Sequence, residues 1–329
     1  MRGWHKTDRR IRDDALGKTM SKRKFTVGSL FSGAGGMDMG FENAGFKVLW
    51  ANEKNSDACD TYRSWSNAEV FCAGVEELDP GELSEVDVIL GGFPCPGYSA
   101  GGPRDLNDIR NILYLHFVQF VKNKKPKLFV AENVKGILSL GGGSAIRQIV
   151  KDFSSKGYTL QVELLNSSDY GVPQDRQRVI IVGVRNDLKG EFECPVSLSP
   201  MVSLEEAIGH MTDPAPEDIC QLAFSSRYMS RQRVRSWDQR SFTIPAMAKQ
   251  VPLHPSSPRM KRIERDVWEF GDGLTRRFSW REAAVIQTFP ESLEFAGDLS
   301  SKYRQIGNAV PVKLAEAVAK SVKQCLEGS

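Results

Sequence analysis

The first two-thirds of the chain alternates short apolar, β-branched runs with stretches of helical periodicity. The apolar runs predict strands over residues 27–30, 48–51, 87–90, 128–131, 159–165 and 179–184, with a weaker one at 70–72. The periodic stretches predict helices over 37–44, 112–123 and 145–156. Strand and helix in turn argue for a mostly parallel α/β sheet. The last two strands are joined only by a polar loop containing Pro173. That connection is too short for a helical crossover, so these strands are expected to be antiparallel. After Arg185 the texture changes. Prolines crowd in at Pro195, Pro200, Pro214 and Pro216, and again at Pro245, Pro252, Pro255 and Pro258. Periodicity fades until Trp280, so 190–275 reads as a small irregular domain. A helix returns over 280–287, and an amphipathic one runs from Pro311 to about Cys325. Pro311 suits that helix's first turn.

Composition sharpens this picture in one respect. With 40% hydrophobic and 26% charged residues, the chain of 329 is neither disordered nor collagen-like. Its net charge of only +3 conceals two basic segments. Residues 1–24 carry nine Lys/Arg against three Asp/Glu, and residues 225–281 carry thirteen against five. The remainder stands at −11. An acidic body with one strongly basic internal segment points to a polyanion met by that segment. The expected organisation is a flexible basic leader over 1–24, a main domain over 25–189, the irregular domain over 190–275, and a return to the main domain over 276–329. No apolar run approaches the ~18 residues of a membrane span, and no apolar stretch follows the basic N-terminus as a signal peptide requires. A cytoplasmic location is expected. The six cysteines lie 13, 23, 99, 26 and 105 residues apart, which matches no zinc pattern.

Two loops carry candidate chemistry. Phe31-Ser32-Gly33-Ala34-Gly35-Gly36 follows the first strand, and Glu53 follows the second, 17 residues after Gly36. Glycines there let a backbone approach a ligand, and an acid at that place suits a ribose hydroxyl pair. Asp38 stands where the dinucleotide fingerprint has its third glycine, which favours an adenosine ligand without a pyrophosphate. A plain tight turn explains this loop equally well. Gly91-Gly92-Phe93-Pro94-Cys95-Pro96-Gly97 follows another strand and sets Cys95 between two prolines, as a positioned nucleophile needs and a core cysteine does not. The stretch behind it, over 97–111, reads as a lid over a substrate or as a surface loop.

Taken in order, Phe31–Gly36, Pro94-Cys95, Glu132-Asn133-Val134 and Gln174-Asp175-Arg176-Gln177-Arg178 resemble the motifs of DNA cytosine-5 methyltransferases. Arg281-Glu282-Ala283-Ala284 with Gln287-Thr288-Phe289-Pro290, and Tyr303 through Pro311, are similar to the family's last two motifs. The match spans about residue 25 to 326. The resemblance implies a class I S-adenosylmethionine-dependent methyltransferase fold, a Rossmann-like sheet with one antiparallel strand, plus a small irregular target-recognition domain. It implies S-adenosylmethionine as cofactor and duplex DNA as substrate, with base flipping, since a stacked base exposes neither ring face. A monomer and a cognate restriction endonuclease sharing the target site are further expectations.

By the same resemblance Cys95 attacks carbon 6 of the cytosine, Glu132 serves ring nitrogen 3, Arg178 holds the base oxygen and Arg176 supports the site. Phe31, Gly33, Gly35, Glu53, Asn308 and Val310 are expected to line the cofactor site, which requires the C-terminal helix to pack beside the first strand. The chain departs from the family in having Pro96 where Gln is usual, and Gly74 where an acid contacts the cofactor adenine. Glu76 or a backbone group is expected to substitute. The basic segment falls where the family has its recognition domain. Arg233, Arg235, Arg240, Thr243, Lys249 and Gln250 are its candidate DNA contacts, chosen because cations neutralise phosphates and Arg and Gln read base edges. The Arg233–Asp238 and Gln250–Pro255 stretches resemble members that read GGCC, although 245–249 departs from them. A tRNA methyltransferase, a non-catalytic nucleic-acid binder and a nicotinamide dehydrogenase are the competing functions.

Overall fold

The computed structural model describes residues 23–94, 109–197 and 201–329. Cys95, the glycine-rich stretch behind it as far as 108, and the leader up to 22 lie outside the described residues. The first elements are β1 (Thr26–Leu30), α1 (Gly36–Asn43), β2 (Lys47–Glu53), α2 (Ser56–Trp65), β3 (Glu69–Cys72), β4 (Val88–Gly91) and α3 (Ile109–Lys124). They are followed by β5 (Leu128–Val134), α4 (Ser144–Ser154), β6 (Tyr158–Asn166), β7 (Gln174–Asp175) and β8 (Gln177–Arg185). Seven strands form one sheet in the order β3-β2-β1-β4-β5-β8-β6. All neighbours are parallel except β8, which runs against both β5 and β6. This is the mostly parallel sheet with an antiparallel hairpin that the pattern predicts.

The strands read as apolar runs because helices cover both faces of the sheet. Side chains still alternate. Val88, Leu90, Leu128, Val130, Ile180 and Val182 face one core, which they share with Phe41 and the C-terminal helix. Ile89, Phe129, Ala131, Val179 and Ile181 face the other, with Phe117, Ile149 and Phe153. The sequence pattern misses α2, where only Ala58, Cys59, Thr61 and Tyr62 are buried. Its start is nonetheless marked by Asn55, whose side chain accepts from the Ala58 amide at 3.0 Å.

The remainder comprises α5 (Leu204–Ile208), β9 (Ser241–Phe242), β10 (Lys261–Glu264), β11 (Val267–Glu269), α6 (Trp280–Ile286), α7 (Leu299–Asn308) and α8 (Val312–Glu327). No helix among the described residues is long and apolar enough to cross a membrane. Ser279 and Glu282 form a reciprocal cap at the start of α6. α8 packs in the same core as Val27 of β1 and Phe41 of α1. A third core joins Leu204, Ile208, Ile244 and Val251 to Trp280, Ile286, Tyr303 and Ile306. The irregular segment thus shares its largest core with the C-terminal helices. Its own small core holds Tyr228, Val234, Leu253 and Met260.

His254 belongs to the seam between them. Its Nε2 lies 3.4 Å from Glu282, a carboxylate only 3% exposed that also receives both Nη atoms of Arg276 at 2.8 Å. Glu282 is already neutralised by Arg276, so burial dominates and pushes His254 down to about 4. The unfolded chain takes up a proton below about 6.5, and the native imidazole does not. The stability this site contributes is therefore complete above about pH 6.5 and is lost as pH falls toward 4. Measured as the difference in unfolding free energy between the native sequence and His254→Gln, the loss reaches roughly 3 kcal/mol. A pH-independent difference contradicts the buried neutral imidazole.

Candidate active site

The strand order reverses between β1 and β4, and in an open α/β sheet that point opens a crevice beyond the carboxyl ends of the strands. A cavity of about 580 Å³ lies there. Its walls include Phe31 and Gly33 after β1, Glu53 at the end of β2, Phe93 and Pro94 after β4, Glu132 near the end of β5, Arg178 of β8, Asn308 at the end of α7 and Val310 just beyond it. Residues as far apart in sequence as Phe31 and Val310 thus meet in one place. Gly35, also predicted for this wall, does not line the cavity. A Cβ there would meet the rings of Trp65 and Tyr62 at 2.3 and 2.7 Å, so the glycine serves close packing against α2.

Phe31 holds a positive φ of 56°, a conformation that costs a non-glycine residue about 1 kcal/mol or more and that clusters at ligand sites. Glu53 Oε2 accepts from the Gly33 amide at 3.0 Å, while Oε1 accepts from Lys54 and Asn55 amides at 2.9 Å. The carboxylate is thereby fixed at the cavity edge. Asn52, which no sequence motif singles out, bonds the Phe71 and Ala73 carbonyls and ties the ends of β2 and β3 together. Glu76 lines the same cavity. Its carboxylate fills the space in front of Gly74, where a Cβ would come within 2.6 Å of it. Asp38, fully buried, receives the Tyr62 hydroxyl at 2.9 Å, and its Oδ2 has no hydrogen-bonding partner among the described residues. Burial pushes Asp38 up to about 6.

Glu132 and Arg178 form the polar centre. The strand register sets Val134 opposite Arg178 and Glu132 opposite Ile180, so the two side chains are diagonal neighbours on one face. Arg178 Nε lies 2.8 Å from Glu132 Oε1, with the side chains 14% and 12% exposed. Burial raises the Glu132 pKa, and the charges of Arg178 and Arg176 oppose that rise. Asn133, between Glu132 and Val134, donates to the Phe93 carbonyl at 3.1 Å and so holds the chain two residues before Cys95. Cys95 itself lies outside the described residues.

Arg176 sits behind this pair, 1% exposed. It donates to the carbonyls of Ile244, Gly307 and Ala309 at 3.0, 2.7 and 3.0 Å. Beside it Gln174 accepts from the Ile244 amide and donates to Gln287, both at 2.8 Å. β7 and β9 pair in parallel at the same joint. Gly307 is required here, because a Cβ would fall 2.3 Å from the Pro245 carbonyl. Arg176→Met is expected to destabilise the protein by roughly 3–5 kcal/mol, since three buried carbonyls lose a charged donor. Thermal unfolding measures this. Arg176→Lys should rescue little, because one ammonium lacks the planar fork that reaches three carbonyls.

The six predicted DNA contacts divide. Arg235 and Arg240 hold Asp175 at 3.7 and 3.2 Å, and Thr243 donates to the Asp175 carbonyl at 2.6 Å. Thr243, Lys249 and Gln250 line a second cavity of about 630 Å³, with Arg227 and Arg231. Arg233 also reaches it, but the side chain is turned inward onto Tyr228, with its guanidinium 4.4 Å from the ring centroid. No periodicity in the sequence distinguishes an inward arginine from an outward one.

Comparison with known proteins agrees with this geometry. The C-5 cytosine-specific DNA methylase family profile matches residues 25–215 and 205–324. The type II methyltransferase M.BspRI of Lysinibacillus sphaericus is 42% identical over 349 residues, covering 92% of this chain and 82% of that one. M.MthTI of Methanothermobacter thermautotrophicus is 40% identical over 323 residues, covering 92% and 98%. Among solved structures, a DNA modification methyltransferase encoded within an E. coli prophage superposes with a TM-score of 0.73 at 22% identity, over 92% of this chain and all of that one. Spodoptera frugiperda DNMT2 does so with 0.70 at 20% identity, over the same shares. At those identities the structural likeness speaks for the fold alone.

Proposed function

Since the chain belongs to the C-5 cytosine-specific DNA methylases, we propose that Cys95, Glu132 and Arg178 carry out cytosine-5 methylation in the cavity at the ends of β1, β4 and β5. The enzyme is a DNA cytosine-5 methyltransferase of the type II restriction–modification kind, and its cofactor is S-adenosylmethionine. The cavity's donor set fits that cofactor. Glu53, held rigid by three amides, suits the ribose hydroxyls. Glu76, which fills the space before Gly74, suits the adenine. The buried acid Asp38 and the ring of Phe31 suit the sulfonium end, which is positively charged. Bound there, S-adenosylmethionine supplies an electrophilic methyl group.

Cytosine carbon 5 is a poor nucleophile and must be activated. Cys95 thiolate adds to carbon 6, and the electron pair of the ring double bond moves toward carbon 5 and nitrogen 3. Glu132 holds the proton at nitrogen 3 and Arg178 the base oxygen, so the ring carries little net charge. Carbon 5 then takes the methyl group. Loss of its proton and departure of Cys95 restore the aromatic ring. The observation that carries this reading is the buried Glu132–Arg178 pair at 2.8 Å beside the chain segment that Asn133 anchors just before Cys95.

Residues 190–275 act as the recognition domain in this reading, against the main body at 25–189 and 276–329. The target is a short palindrome with a central GC, and a restriction endonuclease shares it. The enzyme works as a monomer in the cytoplasm. Expression in a host without cytosine methylation, followed by bisulfite sequencing, tests the reading. One short GC-centred palindrome is expected to carry 5-methylcytosine. Transfer to tRNA with none to duplex DNA overturns it.

A further inference from the structure

The second cavity presents its polar atoms unevenly. Its wall carries Arg227, Arg231, Lys249 and the Gln250 amide, and its one carboxylate among the described residues, Asp175, is already held by Arg235 and Arg240. Arg233 is 6% exposed, and its Nε donates to the Tyr228 carbonyl at 2.9 Å. Its Nη2 donates to Gln250 Oε1 at 3.0 Å and to the Arg227 carbonyl at 3.3 Å. A guanidinium has donors only, so the Gln250 atom that faces it is the oxygen. The amide is therefore turned one way, and Nε2 has no protein partner among the described residues.

We propose that Arg233 is a positioning residue for target specificity: it holds the Gln250 amide so that its NH₂ donates to a guanine in the major groove. This rests on the recognition-domain reading above. Glutamine reads adenine by using its oxygen and its NH₂ together, whereas guanine offers two adjacent acceptors, N7 and O6. Arg233 takes one of the oxygen's two lone pairs and fixes which way the amide is turned, and Arg227, Arg231 and Lys249 add further donors around it. Such a surface matches the edge that only accepts.

The test reads the base tolerance at every position of the methylated motif, by bisulfite sequencing after expression of each variant. Gln250→Ala is expected to relax one position, a guanine, roughly tenfold. Arg233→Met keeps a stem against Tyr228 but no donor, so it relaxes the same position and admits adenine there. Arg233→Lys still donates to Oε1 and restores the guanine preference. Different positions relaxed by Gln250→Ala and Arg233→Met, an unchanged motif in both, or an adenine at the relaxed position of the native motif overturns the proposal. If Arg233→Met does not fold, Gln250→Glu decides. It keeps the Arg233 contact and offers only acceptors, so retention of guanine there overturns the proposal. Lys249→Ala separates this inference from its basis. Duplex affinity that falls in Lys249→Ala, with a motif unchanged by Gln250→Ala, overturns the Gln250 role and leaves the recognition domain standing. Affinity unchanged in both overturns the two together.

Discussion

Cys95→Ala is expected to reduce methyl transfer to background, a loss larger than the roughly 10²–10⁴-fold that a single acid–base group contributes. In the proposed mechanism Glu132 and Arg178 adjust only charge or position. Only covalent addition makes carbon 5 nucleophilic, and no neighbouring residue can substitute for the bond. Alanine removes a sulfur atom and little else, so binding of S-adenosylmethionine should survive within a few-fold. Duplex DNA with 5-fluorocytosine at the target gives the sharper measurement. Fluorine at carbon 5 cannot leave as a proton does, so the native protein should remain covalently attached, and the variant should not. A covalent complex that persists in Cys95→Ala removes Cys95 from the mechanism.

Glu132→Gln is expected to lower transfer by roughly 10²–10⁴-fold while DNA and cofactor affinity stay nearly constant. The amide has the same shape and its oxygen still accepts from Arg178, so the joint between β5 and β8 holds. What disappears is a proton that can reside on either the carboxyl or the base. The pH profile adds an independent check. Burial raises the Glu132 pKa, so activity that needs the protonated carboxyl is lost as pH rises through that raised value. The descending limb should therefore lie above the ordinary carboxylate range, and it should be absent from Glu132→Gln. An unchanged profile in the variant assigns the limb to another group.

Much of the sheet was legible because buried parallel strands leave apolar runs of the right length, as at 88–91 and 128–131. The antiparallel strand was legible because the loop before it is too short for a helix. β7 and β9 were not, since two residues have no period to detect. Short α5 was missed for the same reason, although its Ser203 and Glu206 form a capping box that marks the start. The identities of the site residues came from motifs, whereas their geometry did not. Arg176 meets carbonyls 68, 131 and 133 residues away, and neither burial nor direction can be read from its neighbours in sequence. The assignment of Gly35 to the cavity failed similarly, because a glycine adjacent to a ligand loop looks the same whether it faces the ligand or a tryptophan.

The joint at Gln174–Arg176 has an evolutionary consequence. Gln174 and Arg176 reach the incoming segment through the Ile244 amide and carbonyl, and β7 pairs with β9 through main chain. Main-chain groups are present whatever the side chains. The segment that fits this joint is thus free to drift at its exposed positions while its attachment persists, as long as the apolar side chains it packs against the C-terminal helices, Leu204, Ile208, Ile244 and Val251 among them, stay apolar. With 190–275 as the proposed recognition domain, such an enzyme can change its target without rebuilding the chemistry. A chimera exchanging 190–275 between relatives should fold provided that Gln174, Arg176, Gly307 and the apolar positions of the shared core stay in place.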